Sequence, residues 1–259
     1  MKRMSFYLIV LALVLMMGYL LHRMRPQTVN KLLSIDTEYS FLMEDDRQGS
    51  FLLFINSEKH ELTAIENYAR ILLKDHANDS LIELSLFQVS LGDQEIYMKE
   101  SFYRLSIAFL VPTLQQDWIF DDAYLTIELK DQREYEFRLG RVSFYQESHD
   151  EVKLSWTGLS GIKKANDLRS RLYRITIDYE GELPFIEMID VGTCAAVTFY
   201  HEHQKLFIDL ETSDYLLYDV PIVITYQDGS RQTISNFLYV VDYMLLKESG
   251  PMINVYTLD

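Results

Sequence analysis

Cysteine is almost missing from this chain of 259 residues, because Cys194 is the only one. No disulfide can form within the chain, which argues against a small secreted domain stapled by disulfides. Cys194 lies in the apolar, small-residue run VGTCAAV, and this setting predicts a buried, unreactive thiol. A chain of this length has room for one large domain or for two domains of about 100–150 residues each.

Positive charge is also scarce, since the chain has 24 Lys and Arg against 39 Asp and Glu. Four of the basic residues and no acidic residue lie in residues 1–25. Residues 26–259 therefore carry 20 basic and 39 acidic side chains, a charge of −19. A body with this charge repels phosphate backbones, so we expect no nucleic-acid partner.

Sequence signatures of catalysis and cofactor binding are missing as well. The chain has no Walker A motif, no Gly-x-Gly-x-x-Gly, no Cys-x-x-Cys and no Gly-x-Ser-x-Gly. His60 and Glu61 open the phrase HELTAIE, but Ala64 stands where a zinc protease has its second histidine. We therefore predict no catalytic residue, no cofactor and no enzymatic activity.

The chain does contain a long apolar run near its beginning. Residues 4–21, MSFYLIVLALVLMMGYLL, carry no charge, and as a helix they span about 27 Å, close to the hydrocarbon thickness of a bilayer. A cleaved signal peptide is the alternative, but the run exceeds the usual length of about 7–15 residues and no Ala-x-Ala-like site follows it. We expect an uncleaved anchor over residues 1–25, with the N-terminus in the cytoplasm and the acidic body outside.

The rest of the chain is rich in residues that pack in sheets. Hydrophobic residues make up 48% of the chain, and its 18 Tyr and 14 Phe favour strands over helices. Short β-like runs recur at intervals of about 8–15 residues with polar turns between them, which is typical of antiparallel sandwiches. We predict a mainly β fold, with a stalk at residues 26–48 followed by two tandem antiparallel β-sandwich (Ig-like) domains at 49–148 and 149–259.

Two phrases predict β-hairpins and raise the question of an internal repeat. LTIELKDQREYEF (residues 125–137) and IVITYQDGSRQTI (222–234) both alternate apolar and polar residues around a tight turn, and they lie 97 positions apart. At the same offset, LTAIENYARIL (62–72) matches LSGIKKANDLR (159–169). These matches do not decide whether one module was duplicated, because any two sandwiches share such patterns.

The segments 62–72 and 159–172 have apolar residues three apart, which favours short helices or helical turns. Thr63 and Glu66 fit a capping box at the start of the first. A strand beginning at Arg70 is the alternative for the first segment.

The strongest metal candidate is the phrase FYHEH at residues 199–203. On a strand, His201 and His203 would project from the same face, a spacing that zinc or copper can use. No third ligand can be identified, and a polar hairpin tip explains the segment equally well. We therefore assign no metal site.

Acidic clusters are interpreted as solvated turns, because none has the spacing of a calcium-binding loop. They comprise Glu44, Asp45, Asp46, Asp117, Asp121 and Asp122. A carboxylate pair for glycoside hydrolysis cannot be chosen among 39 acids, since the fold sets the separation.

Tyrosines on or beside the predicted strands indicate either sheet packing or an exposed recognition surface. These are Tyr97, Tyr103, Tyr124, Tyr145, Tyr200, Tyr215 and Tyr218. The function that fits these patterns is a non-enzymatic, single-pass membrane-anchored extracytoplasmic protein. We expect it to act as a binding or accessory subunit of a membrane or envelope complex, through protein contacts. The alternatives are an anchored envelope hydrolase acting on glycan or peptide, and a surface protein that handles metal through His201 and His203.

Overall fold

The computed structural model describes Met16 and residues 29–43, 46–146, 152–163, 172–192, 197–210, 216–218, 220–237 and 245–258. The predicted mainly β class is confirmed for these residues. The strands up to residue 146 are β1 (Asn30–Ile35), β2 (Thr37–Met43), β3 (Gln48–Ile55), β4 (Tyr68–Asp75), β5 (Leu81–Tyr97), β6 (Glu100–Leu110), β7 (Trp118–Leu129) and β8 (Glu134–Gln146).

The later strands are β9 (Ser155–Lys163), β10 (Leu172–Glu180), β11 (Ile186–Val191), β12 (Val197–Glu202), β13 (Lys205–Leu210), β14 (Leu216–Tyr218), β15 (Val220–Tyr226), β16 (Arg231–Phe237) and β17 (Ile253–Leu258). A short helix, α1 (Leu245–Ser249), precedes β17, and Gly250–Met252 forms a 3-10 turn between them.

The first unit, β1 to β8, is a sandwich whose two rows of strands are joined through β5. One row has the order β5-β6-β3-β1 and the other β4-β7-β8-β2. Their inward faces enclose an aromatic core in which Phe41, Phe51 and Phe109 are fully buried. The ring centroids lie 4.7 Å apart between Phe51 and Phe109 and 5.3 Å apart between Phe41 and Phe109. Such contacts explain the high aromatic content, because each buried ring removes a large apolar area from water.

The second unit is a smaller sandwich of four and three strands. Its sheets have the orders β12-β13-β10-β9 and β11-β15-β16. Ile175 and Ile177 of β10 face Ile222 and Ile224 of β15 across a shared core, and all four are fully buried. The alternation of buried and exposed residues along β10 is the period-two pattern of a sheet with one buried face.

The same order of strands recurs in the two units. If β2 and its partner β14 are set aside, the fourth, fifth, second and first strands of each unit form one row, and the third, sixth and seventh form the other. By this correspondence β1 of the first unit is equivalent to β9 of the second. The shared order is what duplication of one module would produce.

The C-terminal segment returns to the first unit. β17 pairs antiparallel with β1 at six positions, from Asn30 opposite Leu258 to Ile35 opposite Ile253. α1 packs Leu245 and Leu246 against the outer side of the same row, and β14 pairs parallel with β2. The division into domains at residues 148 and 149 stays a prediction, and two strands from beyond it complete the sheet of the first unit.

The segment expected to be a stalk instead supplies strands to the core. Residues 26–48 contain β1 and β2, where Leu32, Leu33, Tyr39 and Phe41 are at most 1% exposed. The sequence pattern did not predict these strands, because the stretch mixes charged and apolar residues. In addition, β2 is buried on both sides and has few alternating positions. The predicted anchor at 4–21 lies outside the described residues apart from Met16. Within the described part of the chain, no helix is long and apolar enough to cross a membrane.

The two predicted hairpins are observed. β7 pairs with β8, with Leu125 opposite Phe137, and β15 pairs with β16, with Ile222 opposite Ile234. For the segment 62–72 the helical interpretation is confirmed only in its first part, which forms two 3-10 turns, Glu61–Thr63 and Ile65–Asn67. Residues 68–72 belong to β4, so the alternative of a strand holds there.

Two details of the helical interpretation are wrong. Residues 159–163 belong to β9, and 164–171 lie outside the described residues. The capping box is also wrong: His60, not Thr63, caps the first turn by accepting a hydrogen bond from the Leu62 N–H.

Candidate functional site

Most outer sheet faces of the described residues are covered or carry ion pairs. The outer side of β1, β3 and β6 lies under Leu245, Leu246 and Met252. β15 of the three-stranded sheet contacts β2, and its outward Val223 is only 4% exposed. The outer face of β4, β7 and β8 carries ion pairs such as Arg70 with Glu128, with an N–O distance of 2.7 Å. The four-stranded sheet of the second unit differs, because its outer face presents aromatic side chains.

Strand register brings these side chains together. On β10, Arg174 stands opposite Asp209 of β13, and Thr176 stands opposite Phe207. On the far side of β13, Tyr200 of β12 stands opposite Phe207. Residues directly opposite each other in antiparallel strands point to the same side of the sheet. Tyr173 lies at a register shift of β10, from which its ring contacts Arg174. We call the group formed by Tyr173, Arg174, Tyr200, Phe207 and Asp209 the aromatic face.

Arg174 is the centre of the aromatic face. Its Nη2 donates to Asp209 Oδ2 at 2.8 Å, and its Nε donates to Oδ1 of the same carboxylate. Its guanidinium carbon lies 5.6 Å from the ring centroids of both Tyr200 and Phe207, and 5.7 Å from that of Tyr173. The hydrogen bonds to Asp209 raise the pKa of Arg174 above its usual value, so the group stays charged. Two bonds and three rings hold the guanidinium in one orientation.

The rings themselves are partly open to solvent. Tyr200 is 43% exposed and Tyr173 37% exposed, and the ring of Tyr200 stacks on Phe207 with centroids 4.9 Å apart. At the neighbouring edge of the sheet, Ile162 of β9 stands opposite Arg174 and is 50% exposed. Contiguous exposed apolar side chains around a fixed charge are typical of interaction surfaces.

The aromatic face combines flat apolar contact with polar groups that can bind a partner. Its rings provide flat apolar contact, while Arg174, Asp209 and Thr176 provide donors and acceptors at the same level of the sheet. All of these side chains lie on strands, so their backbone positions are set by the sheet and little ordering is needed on binding.

The predicted tyrosines are divided between packing and exposure. Tyr97, Tyr103, Tyr124 and Tyr145 are half-buried, and Tyr200 is exposed. Tyr215 and the side chain of Tyr218 lie outside the described residues. Arg174 and Phe207 were missed by the sequence analysis, because only the register of three strands places them beside Tyr200. The alternation along β10, which puts Arg174, Thr176 and Asp178 on the side away from Ile175 and Ile177, was the one local signal.

The histidine pair does not have the predicted geometry. His201 is on β12, whereas His203 lies in the turn to β13 with a positive φ of 49°. The two side chains are therefore not alternate residues of one strand. Within the described residues, no group of three or more His, Cys, Asp or Glu side chains is placed to hold a metal ion.

The other acidic candidates in the described part of the chain have structural contacts. Asp117 accepts from the Gln146 N–H at 2.8 Å, Asp121 pairs with Arg141, and Asp122 pairs with Arg138. Cys194, Glu44 and Asp45 lie outside the described residues. Asp46 is in a turn with a φ of 57°.

His60 and Glu61 form a polar cluster at one end of the first unit. Glu61 accepts from the Tyr135 hydroxyl at 2.6 Å and pairs with Arg133, with an N–O distance of 2.5 Å. His60 is 6% exposed, its Nδ1 accepts from the Leu62 N–H, and its Nε2 has no hydrogen-bond partner among the described residues. Burial lowers the pKa of His60 below its usual value, and it raises the pKa of Tyr135 to about 12. These contacts fasten the loop before β4 to the β7–β8 hairpin.

No family model matches the chain, and no curated protein matches it. Among solved structures, it is similar to the glucan-utilization protein SGBP-B of Bacteroides ovatus in complex with a mixed-linkage heptasaccharide, at 12% identity and a TM-score of 0.24 over 77% of this chain. The chain spans 43% of the length of that protein.

Two further solved structures have similar scores. The sialic acid binding region of a Streptococcus sanguinis adhesin matches at 7% identity and a TM-score of 0.22, over 81% of this chain and 76% of that one. A protein of unknown function from Porphyromonas gingivalis matches at 13% identity and a TM-score of 0.23, over 78% of this chain and 97% of that one. Similarity at this level assigns no function.

Proposed function

We propose that this chain is a non-enzymatic binding protein that recognises a partner protein through the aromatic face of its second unit. The observation that carries the proposal is the exposed ring of Tyr200 beside Arg174, which Asp209 and three rings hold in place. Tyrosine and arginine are enriched among the residues that dominate protein–protein binding energy, and they act most strongly where the surface is preformed.

The proposal includes a location and an assembly. Residues 4–21 anchor the chain in the cell membrane as a single span, and the body of charge −19 lies outside the cytoplasm as an accessory subunit of a membrane or envelope complex. The acidic body disfavours nucleic acid as the partner.

We also propose that both sandwiches are Ig-like. In that fold the first, second, fifth and fourth strands share one sheet, and the third, sixth and seventh share the other. The orders β12-β13-β10-β9 and β11-β15-β16 follow this scheme, as do β5-β6-β3-β1 and β4-β7-β8. Ig-like domains often bind through an exposed sheet face, so the fold is compatible with the proposed role by analogy.

The test is recovery of the full-length protein from its native membranes in mild detergent, with the bound components quantified. We expect one component to co-purify with the wild type and to fall by at least about tenfold with Tyr200→Ser, since loss of a central aromatic contact costs more than about 1.4 kcal/mol. Tyr124→Ser is the matched control, because Tyr124 is half-buried on the outer face of the first unit, and it should retain the component.

Circular dichroism and thermal melting establish that both variants fold. Recovery of the wild type as a lone monomer under several conditions contradicts the proposal. Equal retention by Tyr200→Ser and the wild type shows that a partner exists but does not use the aromatic face.

A further inference from the structure

The edge strand β9 has an open side. Within the described residues it pairs only with β10, and it ends the row β12-β13-β10-β9. A strand at the edge of a sheet presents main-chain N–H and C=O groups that a further strand can use.

The register shows which groups of β9 point outward. The Tyr179 N–H donates to Gln204 O, so Tyr179 and the alternate residues of β10 turn their main-chain groups toward β13. Thr176 and Arg174 then turn theirs toward β9, where they stand opposite Ser160 and Ile162. The residues between, Leu159 and Gly161, therefore direct their N–H and C=O groups to the open side.

The middle of β9 is unprotected, although the strand ends at Lys163 and its register with β10 shifts near both ends. Between Leu154 and Ile162 the chain has no charged residue and no proline. Its exposed large side chains, Trp156 and Ile162, are apolar. Edge strands are normally blunted by charge, proline or bulges, and β9 has such features only toward its ends.

The first unit provides an internal precedent for what such an edge binds. β1 holds the position in its unit that β9 holds in the second unit, and its edge is occupied by β17. β17 has the sequence INVYTL, an uncharged segment with apolar or aromatic residues at most positions. It adds antiparallel over six residues and is preceded by apolar side chains that cover the outer face next to β1.

We propose that the open edge of β9 binds an extended, uncharged segment of a partner protein as an additional antiparallel strand. The segment has the chemistry of β17, with alternating apolar side chains that cover Ile162 on the outer face. Main-chain hydrogen bonds to Leu159 and Gly161 fix its register, and the side chains provide specificity. This inference goes beyond the proposed function, because it depends on the backbone of β9 and not on the aromatic face.

Charge favours a different protein over a second copy of this chain. Two copies joined at β9 would bring together bodies that each carry −19, and such like charges oppose association. An uncharged segment experiences no such repulsion.

The test uses the purified full-length protein in detergent and a dye-labelled synthetic peptide with the sequence of Ile253–Leu258, capped at both ends. Fluorescence anisotropy measures binding to the wild type, Gly161→Ala and Gly161→Pro. Proline at an edge position removes the outward N–H without breaking a bond to β10, whereas alanine keeps it. We expect saturable binding to the wild type and to Gly161→Ala, and binding at least about tenfold weaker to Gly161→Pro because a main-chain hydrogen bond is lost.

Thermal melting establishes that the Gly161→Pro variant is folded. Tyr200→Ser should leave peptide binding unchanged, which separates this inference from the proposed function. No saturation at concentrations up to about 1 mM, the weakest range of specific binding, overturns the inference. So does equal binding by all three proteins, which would place the peptide elsewhere, for example at β1 in exchange for β17. A wild-type dimer by light scattering that Gly161→Pro dissociates overturns it in favour of a second copy.

Discussion

Arg174 illustrates how a single residue acquires a fixed orientation from its neighbours. An exposed ion pair contributes little by itself, because two long side chains lose rotamer freedom to form it. Here Asp209 takes two donors of the guanidinium while Tyr173, Tyr200 and Phe207 surround its plane. A lysine at this position would place the same charge but could not make both contacts at once.

His60 leads to a prediction about pH. Burial holds its pKa below the usual value of about 6.5, with a smaller effect of Arg133 in the same direction and an opposing effect of Glu61. As pH falls through about 6.5, the unfolded chain binds a proton at this histidine and the folded chain does not. The stabilising contribution of the neutral His60 to the free energy of unfolding is therefore fully present above that pH and declines below it. We expect the free energy of unfolding to fall between pH 7.5 and 5.5.

The measurement is urea unfolding at the two pH values for the wild type and His60→Gln. Glutamine does not titrate and can still accept a hydrogen bond from the Leu62 N–H. Other groups that titrate in this range act equally on both proteins, so the difference between them isolates His60. If the variant loses as much stability on acidification as the wild type, His60 is not responsible.

At the scale of elements, the two hairpin turns are the same structure at an offset of 97 residues. In each, the N–H of the last residue before the turn donates to the carbonyl four residues later, from Leu129 to Arg133 and from Tyr226 to Ser230, both at 2.9 Å. Asp131 and Asp228 each accept from the N–H two residues on, at 3.1 Å. Gln132 and Gly229 both have a left-handed backbone, with φ of 74° and 82°.

This equivalence predicts opposite effects of two substitutions. Gly229→Ala introduces a side chain into the left-handed region and should lower the free energy of unfolding by about 1 kcal/mol. Gln132→Gly removes such a side chain from the same conformation and should raise stability by up to about 0.5 kcal/mol, since glycine also makes the unfolded chain more flexible. Chemical denaturation measures both. A loss of stability in both variants would show that the two turns differ in energy despite their shared geometry.

The hairpins could be predicted from sequence because all their determinants are local. The alternation around Leu125 and Ile222, and the turn residues after them, lie within 13 positions of one another. The aromatic face could not be predicted, because it combines residues from β10, β12 and β13 that only the strand register brings together. Residues 159–163 were taken for a helical turn because apolar residues three apart fit either structure when glycine and serine separate them.

At the scale of the whole molecule, the C-terminal segment packs against the first unit. β17 pairs with β1, Arg138 N–H donates to the Tyr256 hydroxyl at 2.8 Å, and the Leu246 N–H donates to the buried carboxylate of Glu95 at 2.8 Å. Non-local pairing of this kind, across more than 200 residues, has no signature in the sequence beyond an alternating segment near the end. It explains why the spacing of the β-like runs placed this segment with the second unit.

The two units also meet at Gly192, which lies just after β11. Its φ is 59°, and a Cβ built on it would lie 2.6 Å from Glu38 Oε1 and 3.1 Å from Ser40 Oγ, both on β2 of the first unit. The backbone thus approaches β2 more closely than any side chain would permit. The Gly192 N–H donates to Pro221 O at 2.9 Å, which fixes the approach from the side of the second unit.

We therefore expect Gly192→Ala to weaken the contact between the units. Gly181→Ala is the matched control, because Gly181 also has a positive φ, of 86°, but nothing lies within 4 Å of its Cβ position. Both variants should lose about 1 kcal/mol through backbone strain, and Gly192→Ala should lose a further ~1–3 kcal/mol because the new methyl group crowds the buried Glu38 and Ser40. Urea unfolding measures the difference, and hydrogen exchange should show faster exchange in β2 for Gly192→Ala alone. Equal losses in the two variants would mean that the units can separate at this point without cost, and that β14 and β17 hold them together instead.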